Sequence, residues 1–268
     1  MKKLLRNMLL LLQSVLLFSV SVVADGTAHS WYCAHVKDHV QPKAGADIAF
    51  VEEMGGYYID HSHTDANASD KVIYLTFDAG YENGNVEKIL NVMRDEGITG
   101  AFFVLGNLIK SNPDLVLRMA NEGHLVCNHT FRHKDMTTFS EDAFLEELHA
   151  LEALYEDTTG QKMAAYYRPP EGKFDADNLR VAQENGYKTV FWSFAYPDWD
   201  NGKQMPHEKA KTIIMENIHN GEVMLLHPTS ETNAAILGDV IRELKADGYR
   251  FGTLDELTAG GNQNAASQ

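Results

Sequence analysis

The stretch Val72-Ile-Tyr-Leu-Thr-Phe-Asp-Ala-Gly-Tyr81 decides the fold. Its first six residues are apolar or β-branched, which is typical of a strand buried on both faces in a parallel sheet. The run ends at Asp78, and Gly80 then allows the backbone to turn. In α/β folds the loops after the carboxyl ends of the strands carry the chemistry. Asp78 is therefore a candidate general base or metal ligand, although an isolated acid at such a place more commonly caps a helix.

Similar apolar runs alternate with amphipathic segments through the rest of the chain. We expect strands at 72–77, 100–105, 125–127, 165–167, 189–194, 223–226 and 250–254, and helices at 85–96, 112–122, 140–159, 177–184, 206–220 and 233–246. This alternation indicates parallel βαβ units. The expected fold class is α/β, a distorted (β/α) barrel of about seven parallel strands in a single catalytic domain.

The beginning of the chain has a different composition. Lys2, Lys3 and Arg6 precede an apolar run from Met8 to Val23. This pattern predicts a secretory signal peptide with cleavage after Ala24, and the alternative is an uncleaved membrane anchor. In both cases we expect export. The predicted organisation is a signal or anchor at 1–24, an extension packed on the barrel at 25–70, a catalytic domain at 71–258 and a disordered tail at 259–268.

Charge and composition exclude several classes of protein. The formal net charge is −15, so binding to nucleic acid or to an anionic membrane is not expected. The chain has no Gly-x-Ser-x-Gly elbow and no glycine-rich phosphate loop. Cys33 and Cys127 could form a disulfide in an exported protein, but the sequence does not determine whether they pair.

Two histidines follow the predicted strand 125–127. His129 and His133 are four residues apart, a spacing at which two imidazoles can bind one divalent cation from a turn. The alternative is one surface histidine and one that caps the next helix. Their position after an apolar run favours a metal site.

Charged residues also follow other predicted strands. His227 follows four apolar residues and is a candidate general acid. Asp198 could hydrogen-bond that histidine, fix its tautomer and raise its pKa. Arg168 could pair with Asp78 and keep it ionised as a base. Tyr81, Trp192 and Trp199 supply flat apolar surfaces of the kind that line sugar-binding clefts, although they could equally be core residues.

Together these residues suit hydrolysis of an amide or ester. A metal would polarise the carbonyl and bind water, Asp78 would take a proton from that water, and His227 would protonate the leaving group.

The chain contains five motifs whose order resembles that of a known family. They are Thr76-Phe-Asp78-x-Gly80, His129-Thr-x-x-His133, Arg168-Pro-Pro-x-Gly172, Asp198-Trp199 and Leu226-His227. In this order they resemble the motifs of the polysaccharide deacetylases (carbohydrate esterase family 4, the NodB-type domain), over about Lys71 to Leu257. The lead-in from Trp31 to Ser62, the Gly-Tyr-Glu-Asn83 segment and Phe191-Trp-Ser-Phe resemble the delta-lactam-biosynthetic de-N-acetylases of spore-forming bacteria.

The resemblance implies a substrate and a cellular role. The substrate would be the peptidoglycan glycan strand, from which the enzyme removes the acetyl group of N-acetylmuramic acid. An amidase would act first to remove the stem peptide, and the freed amine would then close to muramic δ-lactam in the spore cortex. The motifs also imply that Pro170, Glu171 and Leu226 contact the substrate, beside the aromatic residues named above. We expect an exported monomer that works on the cell-wall or spore-cortex side.

Two departures from the wider family matter. Ala79 stands where most members carry a metal-binding acid, and the delta-lactam group likewise lacks an acid there. Only His129 and His133 therefore remain as expected ligands. We therefore expect a weakly held divalent metal, zinc before cobalt, nickel or manganese, with water or Asp78 completing its shell. Glu171 stands where an aromatic residue is common, which adds charge beside the cleft.

Two other functions stay open at this point. One is a deacetylase of N-acetylglucosamine in peptidoglycan or chitin. The other is a glycan-binding protein on a catalytically retired scaffold, for which Ala79 is the main argument.

Overall fold

The computed structural model describes residues 26–259, and the predicted segment 1–24 and residues 260–268 of the predicted tail lie outside that range. In the described part, the strands are β1 His29–Ser30, β2 Gly56–Tyr57, β3 Lys71–Ala79, β4 Ala101–Val104, β5 Leu125–Asn128, β6 Ala164–Tyr167, β7 Lys173–Phe174, β8 Lys188–Val190, β9 Phe194–Ala195, β10 Glu222–Leu226 and β11 Tyr249–Phe251. The helices are α1 Val86–Asp95, α2 Gly106–Ser111, α3 Pro113–Asn121, α4 Glu141–Thr159, α5 Ala176–Glu184, α6 His207–Asn217, α7 Glu231–Ala246 and α8 Leu254–Ala259.

A curled parallel sheet forms the centre of the molecule. Its strands lie in the order β2-β8-β6-β5-β4-β3-β10-β9, and β11 pairs in parallel with the first part of β3. At the two ends of this order the sheet approaches itself, because Ile59 just beyond β2 forms an isolated bridge with Glu222 of β10. The fold is thus a distorted, incomplete (β/α) barrel in one α/β domain, and the predicted fold class is confirmed.

The local sequence explains where the long helices begin and end. Ser140 accepts a hydrogen bond from the Ala143 backbone at 3.4 Å and caps α4 at its start. Gly160 ends the same helix in the left-handed region, at φ 71°. In α1 the residues Val86, Ile89, Leu90 and Met93 are all buried against the sheet, as their spacing predicts.

The predicted continuous strand 189–194 is interrupted. β8 ends at Val190 and β9 begins at Phe194, and residues 191–193 between them form what we call the β8–β9 break. Within the break, the Phe191 backbone N–H donates to Tyr57 O at 2.7 Å, and that of Ser193 donates to Val223 O at 3.0 Å. The chain therefore crosses from the β2 side of the sheet to the β10 side within three residues. The two short helices α2 and α8 were not predicted from the sequence.

The segment before β3 packs against the barrel. Trp31, Tyr58 and Ile59 are buried in one cluster with Phe174 and Phe191. β1 pairs antiparallel with β7, and β2 pairs in parallel with β8. Cys33 and Cys127 both carry free thiols. No helix within residues 26–259 has the length and apolar character needed to cross a membrane.

Candidate active site

The sheet brings the predicted functional residues to one edge. Asp78 lies at the end of β3, and His129, Arg168 and His227 directly follow β5, β6 and β10. Asp198 lies in the loop after β9. Because these strands are parallel, their carboxyl ends meet at the same side of the barrel.

Asp78 is held by a buried arginine. Arg168 Nη1 donates to Asp78 Oδ1 at 2.9 Å, and the side chain of Arg168 has no exposed surface. Burial by itself raises the pKa of the Asp78 carboxyl, but its electrostatic interactions with His129, with the Arg168 guanidinium and with His227 outweigh that effect and lower it. Asp78 is therefore ionised at neutral pH and able to accept a proton.

The tautomer of His129 follows from its hydrogen bond. His129 Nδ1 lies 2.8 Å from the carbonyl oxygen of Arg168, which can only accept, so Nδ1 carries the proton. Nε2 then presents its lone pair, 3.5 Å from Asp78 Oδ2. Burial lowers the pKa of His129 to about 4, although the charge of Asp78 opposes this. The neutral imidazole is the form that binds metal.

A strained turn places the His133 side chain beside that of His129. Thr130 and His133 both have left-handed backbones, at φ 70° and 55°. Asn128 Oδ1 accepts from the Thr130 backbone at 2.9 Å, and Thr130 Oγ1 accepts from the His133 backbone at 3.0 Å. The turn brings the two imidazole rings to 5.0 Å between centroids. Burial lowers the pKa of His133 as well, which favours its neutral form.

These residues fit a divalent metal in part. The His129 Nε2 lone pair and the Asp78 carboxylate face each other with no hydrogen between them, an arrangement that a cation beside them would stabilise. His133 offers a second neutral imidazole nearby. However, within residues 26–259 no set of three or more His, Cys, Asp or Glu side chains is arranged to hold a metal ion. The Ala79 side chain is buried and carries no ligand atom.

His227 is oriented by Asp198. Its Nδ1 lies 2.7 Å from Asp198 Oδ1, and its backbone N–H donates to Asp198 Oδ2 at 2.8 Å. Burial lowers the pKa of His227, but the hydrogen bond and charge of Asp198, with the charge of Asp78, outweigh it and raise the pKa. Since Nδ1 bonds Asp198, Nε2 remains to give a proton to a substrate.

Sequence reasoning missed the residues that hold Asp198. Asn233 Nδ2 donates to Asp198 Oδ2 at 2.6 Å and to His227 O at 3.1 Å, while Asn233 Oδ1 accepts from the Tyr196 hydroxyl. Gln204 Nε2 donates to Asp198 O at 3.1 Å. No local pattern marks these residues, because Asn233 lies 35 positions from Asp198 and Gln204 lies in an irregular loop six positions after it. Thr76, which accepts from Arg168 Nη2 at 2.9 Å, could have been found, since in a strand it shares a face with Asp78.

Two of the three predicted aromatic substrate-binding residues are exposed. The Trp199 side chain is 61% exposed, and its ring centroid lies 6.3 Å from that of His227. Tyr81 is 45% exposed, and its hydroxyl accepts from Asn201 Nδ2 at 2.5 Å. This bond joins the loop after β3 to the loop that carries Trp199. Both aromatic surfaces are open to a ligand.

Of the other four predicted substrate-binding residues, three are buried or half-buried and Glu171 is exposed. Leu226 and Pro170 are buried, so they present little surface. Trp192 is half-buried, with its ring 5.7 Å from the Arg168 guanidinium carbon. Glu171 has a left-handed backbone at φ 56°, and its carboxylate pairs with Lys173 Nζ at 2.8 Å. Their roles in substrate binding stay predictions.

Comparisons with a family model, with related proteins and with solved structures agree on the family. The family model described as polysaccharide deacetylase matches residues 65–190. The peptidoglycan-N-acetylmuramic acid deacetylase PdaA of Bacillus subtilis is 38% identical over 229 residues, 85% of this chain and 85% of that protein. A peptidoglycan-N-acetylglucosamine deacetylase of Bacillus cereus is 31% identical over 195 residues, 70% of this chain and 89% of that protein. The solved structure of Bacillus subtilis PdaA, a family 4 carbohydrate esterase, matches with a TM-score of 0.82 and 36% identity, covering 88% of this chain and 98% of that one.

Proposed function

The chain belongs to the polysaccharide deacetylase family, as its five motifs predicted, and we propose that it removes the acetyl group from N-acetylmuramic acid residues of peptidoglycan. The observation that supports this substrate is the extent of the likeness to the muramic acid deacetylase. That likeness covers 85% of the chain, against 70% for the glucosamine deacetylase.

The site residues supply the proton transfers that amide hydrolysis needs. Asp78 takes one proton from a water molecule while the oxygen of that water bonds to the acetyl carbonyl carbon. His227 Nε2 then gives a proton to the sugar nitrogen as the carbon–nitrogen bond breaks. The products are acetate and a free amine. Arg168 keeps Asp78 ionised, and Asp198 keeps His227 protonated, so each group starts in the state that its step requires.

We propose that His129 and His133 hold a divalent cation, zinc before the other candidates. Bound there, the ion would polarise the acetyl carbonyl and acidify a water molecule. With two imidazoles and no acid at position 79, its affinity is expected to be low.

The cellular context follows from the same proposal. We propose an exported monomer that acts on glycan strands from which an amidase has already removed the stem peptides, and that feeds formation of muramic δ-lactam. The apolar segment at 8–23 supports export, and the free amine that deacetylation leaves beside the lactyl carboxyl supports lactam closure.

Two alternatives have specific support. Deacetylation of N-acetylglucosamine is supported by the Bacillus cereus relative. A retired glycan-binding role is supported by Ala79, but the paired contacts of Asp78 with Arg168 and of His227 with Asp198 argue against it.

The decisive experiment measures acetate released from peptide-free glycan strands. We expect release by the wild type and by Asp200→Asn, a control that removes an exposed acid from the loop carrying Asp198. We expect about a 10²-fold or greater loss in Asp78→Asn and in His227→Ala. Equal rates in the wild type and both site variants would refute the assignment. Binding to the strands without acetate release, under every divalent metal tried, would favour the retired scaffold.

A further inference from the structure

The β8–β9 break does more than connect two strands. We infer that Trp31, in the extension before the barrel, is a positioning residue that acts through this break on Arg168. The inference rests on the proposed roles of Arg168 and Asp78. It assigns part of the catalytic support to a segment that precedes the match to the family model at 65–190.

The last residue of β8 and the first residue of the break supply acceptors for Arg168. Arg168 Nε donates to Val190 O at 2.9 Å, and Nη2 donates to Phe191 O at 3.0 Å. Within a sheet, backbone carbonyl oxygens bond a neighbouring strand, but these two accept from the guanidinium instead. Nη1 also donates to Asp78 Oδ1, and Nη2 donates to Thr76 Oγ1. Because the guanidinium is planar and rigid, its position at the carbonyls fixes its position at Asp78.

Trp31 contacts the break on its other side. Its Nε1 donates to Trp192 O at 2.9 Å, and its ring stacks on Phe191 with 4.5 Å between centroids. Trp31 is only 4% exposed, so this hydrogen bond lies in a region with little competing water. The indole therefore holds the two residues that directly follow Val190.

Trp31 also contacts the segment that carries Arg168. Its backbone N–H donates to Gly172 O at 2.8 Å. Gly172 has φ 66°, and a Cβ at that position would lie 2.8 Å from the Trp192 ring and 3.1 Å from Trp31 Cβ. The three residues are thus packed without space for another methyl group. Trp31 thus joins the segment that carries Arg168 to the segment whose carbonyl oxygens accept hydrogen bonds from it.

Loss of the indole N–H should therefore act on the chemical step. Small misplacements of a catalytic group can cost up to about 10²-fold in rate. We expect Trp31→Phe, which keeps an aromatic ring on Phe191, to lower kcat about 10-fold through misplacement of Arg168 and Asp78. KM should change less than about twofold, because Trp31 is only 4% exposed and so does not itself contact substrate.

The matched control is Tyr58→Phe. Tyr58 is also a buried aromatic residue of the extension, its ring centroid lies 4.9 Å from that of Trp31, and its hydroxyl accepts from the Ala44 backbone at 3.3 Å. This substitution removes one hydrogen bond from the same cluster without reaching the β8–β9 break. We expect kcat to be unchanged, even where the melting temperature falls as much as in Trp31→Phe.

A double-mutant cycle separates positioning from general stability. If Trp31 acts through Arg168, Trp31→Phe will cause no further loss of kcat in an Arg168→Lys background. The same 10-fold loss in both backgrounds, or an unchanged kcat in Trp31→Phe, would overturn the inference. Should Trp31→Phe not fold, 3-benzothienyl-L-alanine at position 31 replaces the N–H by sulfur in a ring of nearly the same shape, and the same result is expected.

A second measurement does not depend on activity. The Arg168 Nε–H should give a protected proton resonance in the wild type, and its exchange with solvent should accelerate in Trp31→Phe but not in Tyr58→Phe. Unchanged exchange in Trp31→Phe would contradict the inference. This measurement tests the positioning role even where the wild type releases no acetate, so failure of the proposed function remains distinguishable.

Discussion

Arg168 and Asp78 form a buried ion pair, with Nη1 2.9 Å from Oδ1. The arginine side chain is fully enclosed, and that of Asp78 is 11% exposed. The guanidinium is further fixed by Thr76 and by two backbone carbonyls of residues 190–191. Removing one partner of such a pair leaves an uncompensated charge in a region with little water.

The first prediction concerns stability. Arg168→Met should lower the free energy of unfolding by about 3–5 kcal/mol, because Asp78 loses its counter-charge. Arg168→Met combined with Asp78→Asn should recover part of that loss, since no buried charge is then unpaired. Denaturant unfolding with the linear extrapolation measures both values. If the double variant is less stable than Arg168→Met, the charge-pair explanation is wrong.

The second prediction concerns pH. Asp198 raises the pKa of His227 against the effect of burial, and a general acid works only while protonated. Activity should therefore fall as pH rises through that pKa. In Asp198→Asn the charge that raises the pKa of His227 is lost, while the burial that lowers this pKa remains. The alkaline limb of the kcat/KM profile should therefore move to lower pH.

Asp200→Asn is the matched control for this shift. It removes the same charge from the same loop, but Asp200 is exposed. Its carboxylate accepts from the Gly202 backbone at 2.9 Å and lies 3.8 Å from Lys203 Nζ. Its profile should overlay that of the wild type. An unmoved alkaline limb in Asp198→Asn would show that His227 is not the titrating acid.

The third prediction concerns the metal. Chelator treatment should abolish acetate release, and added zinc should restore it. His133→Ala should lower zinc stoichiometry and affinity, because one of two imidazole ligands is lost. His149→Ala, which removes an exposed histidine of α4, is the control and should bind zinc as the wild type does. Equal zinc binding by His133→Ala and the wild type would exclude the site.

The fourth prediction concerns substrate binding. Trp199→Ala should raise KM about 10-fold, which corresponds to about 1.4 kcal/mol of lost stacking, with little change in kcat. Its exposed side chain makes a folding defect unexpected. Tyr32→Ala, which removes an aromatic side chain that is 55% exposed in the extension, should leave KM unchanged. A KM equal to that of the wild type in Trp199→Ala would remove Trp199 from the cleft.

The sequence predicted the barrel and the convergence of the charged residues because both depend on local pattern. Apolar runs marked the strands, and residues such as Ser140 and Gly160 marked helix ends. Once the strands are parallel, the residues that follow them must meet at one edge. The sequence alone thus places Asp78, His129 and Arg168 together.

The groups that hold Arg168 and Asp198 in place could not be predicted, because their contacts depend on long-range geometry. The run 189–194 has the same apolar character whether or not the strand is interrupted. The carbonyls of Val190 and Phe191 have no signature in the sequence. Asn233 binds a carboxylate 35 positions earlier in the chain. In the sequence, Trp31 is marked only by its place in the segment 31–62 that resembles the de-N-acetylases.

The most direct test of the whole account is mass spectrometry of muramidase-digested, peptide-free glycan strands after reaction with the enzyme. We predict that the acetyl group is lost from muramic acid residues in the wild type, with acetate released in equal amount, and that Asp78→Asn leaves those residues acetylated. Loss of acetyl groups from glucosamine residues alone would contradict the proposed substrate. Loss from muramic acid that is equally fast in Asp78→Asn would contradict the assigned mechanism.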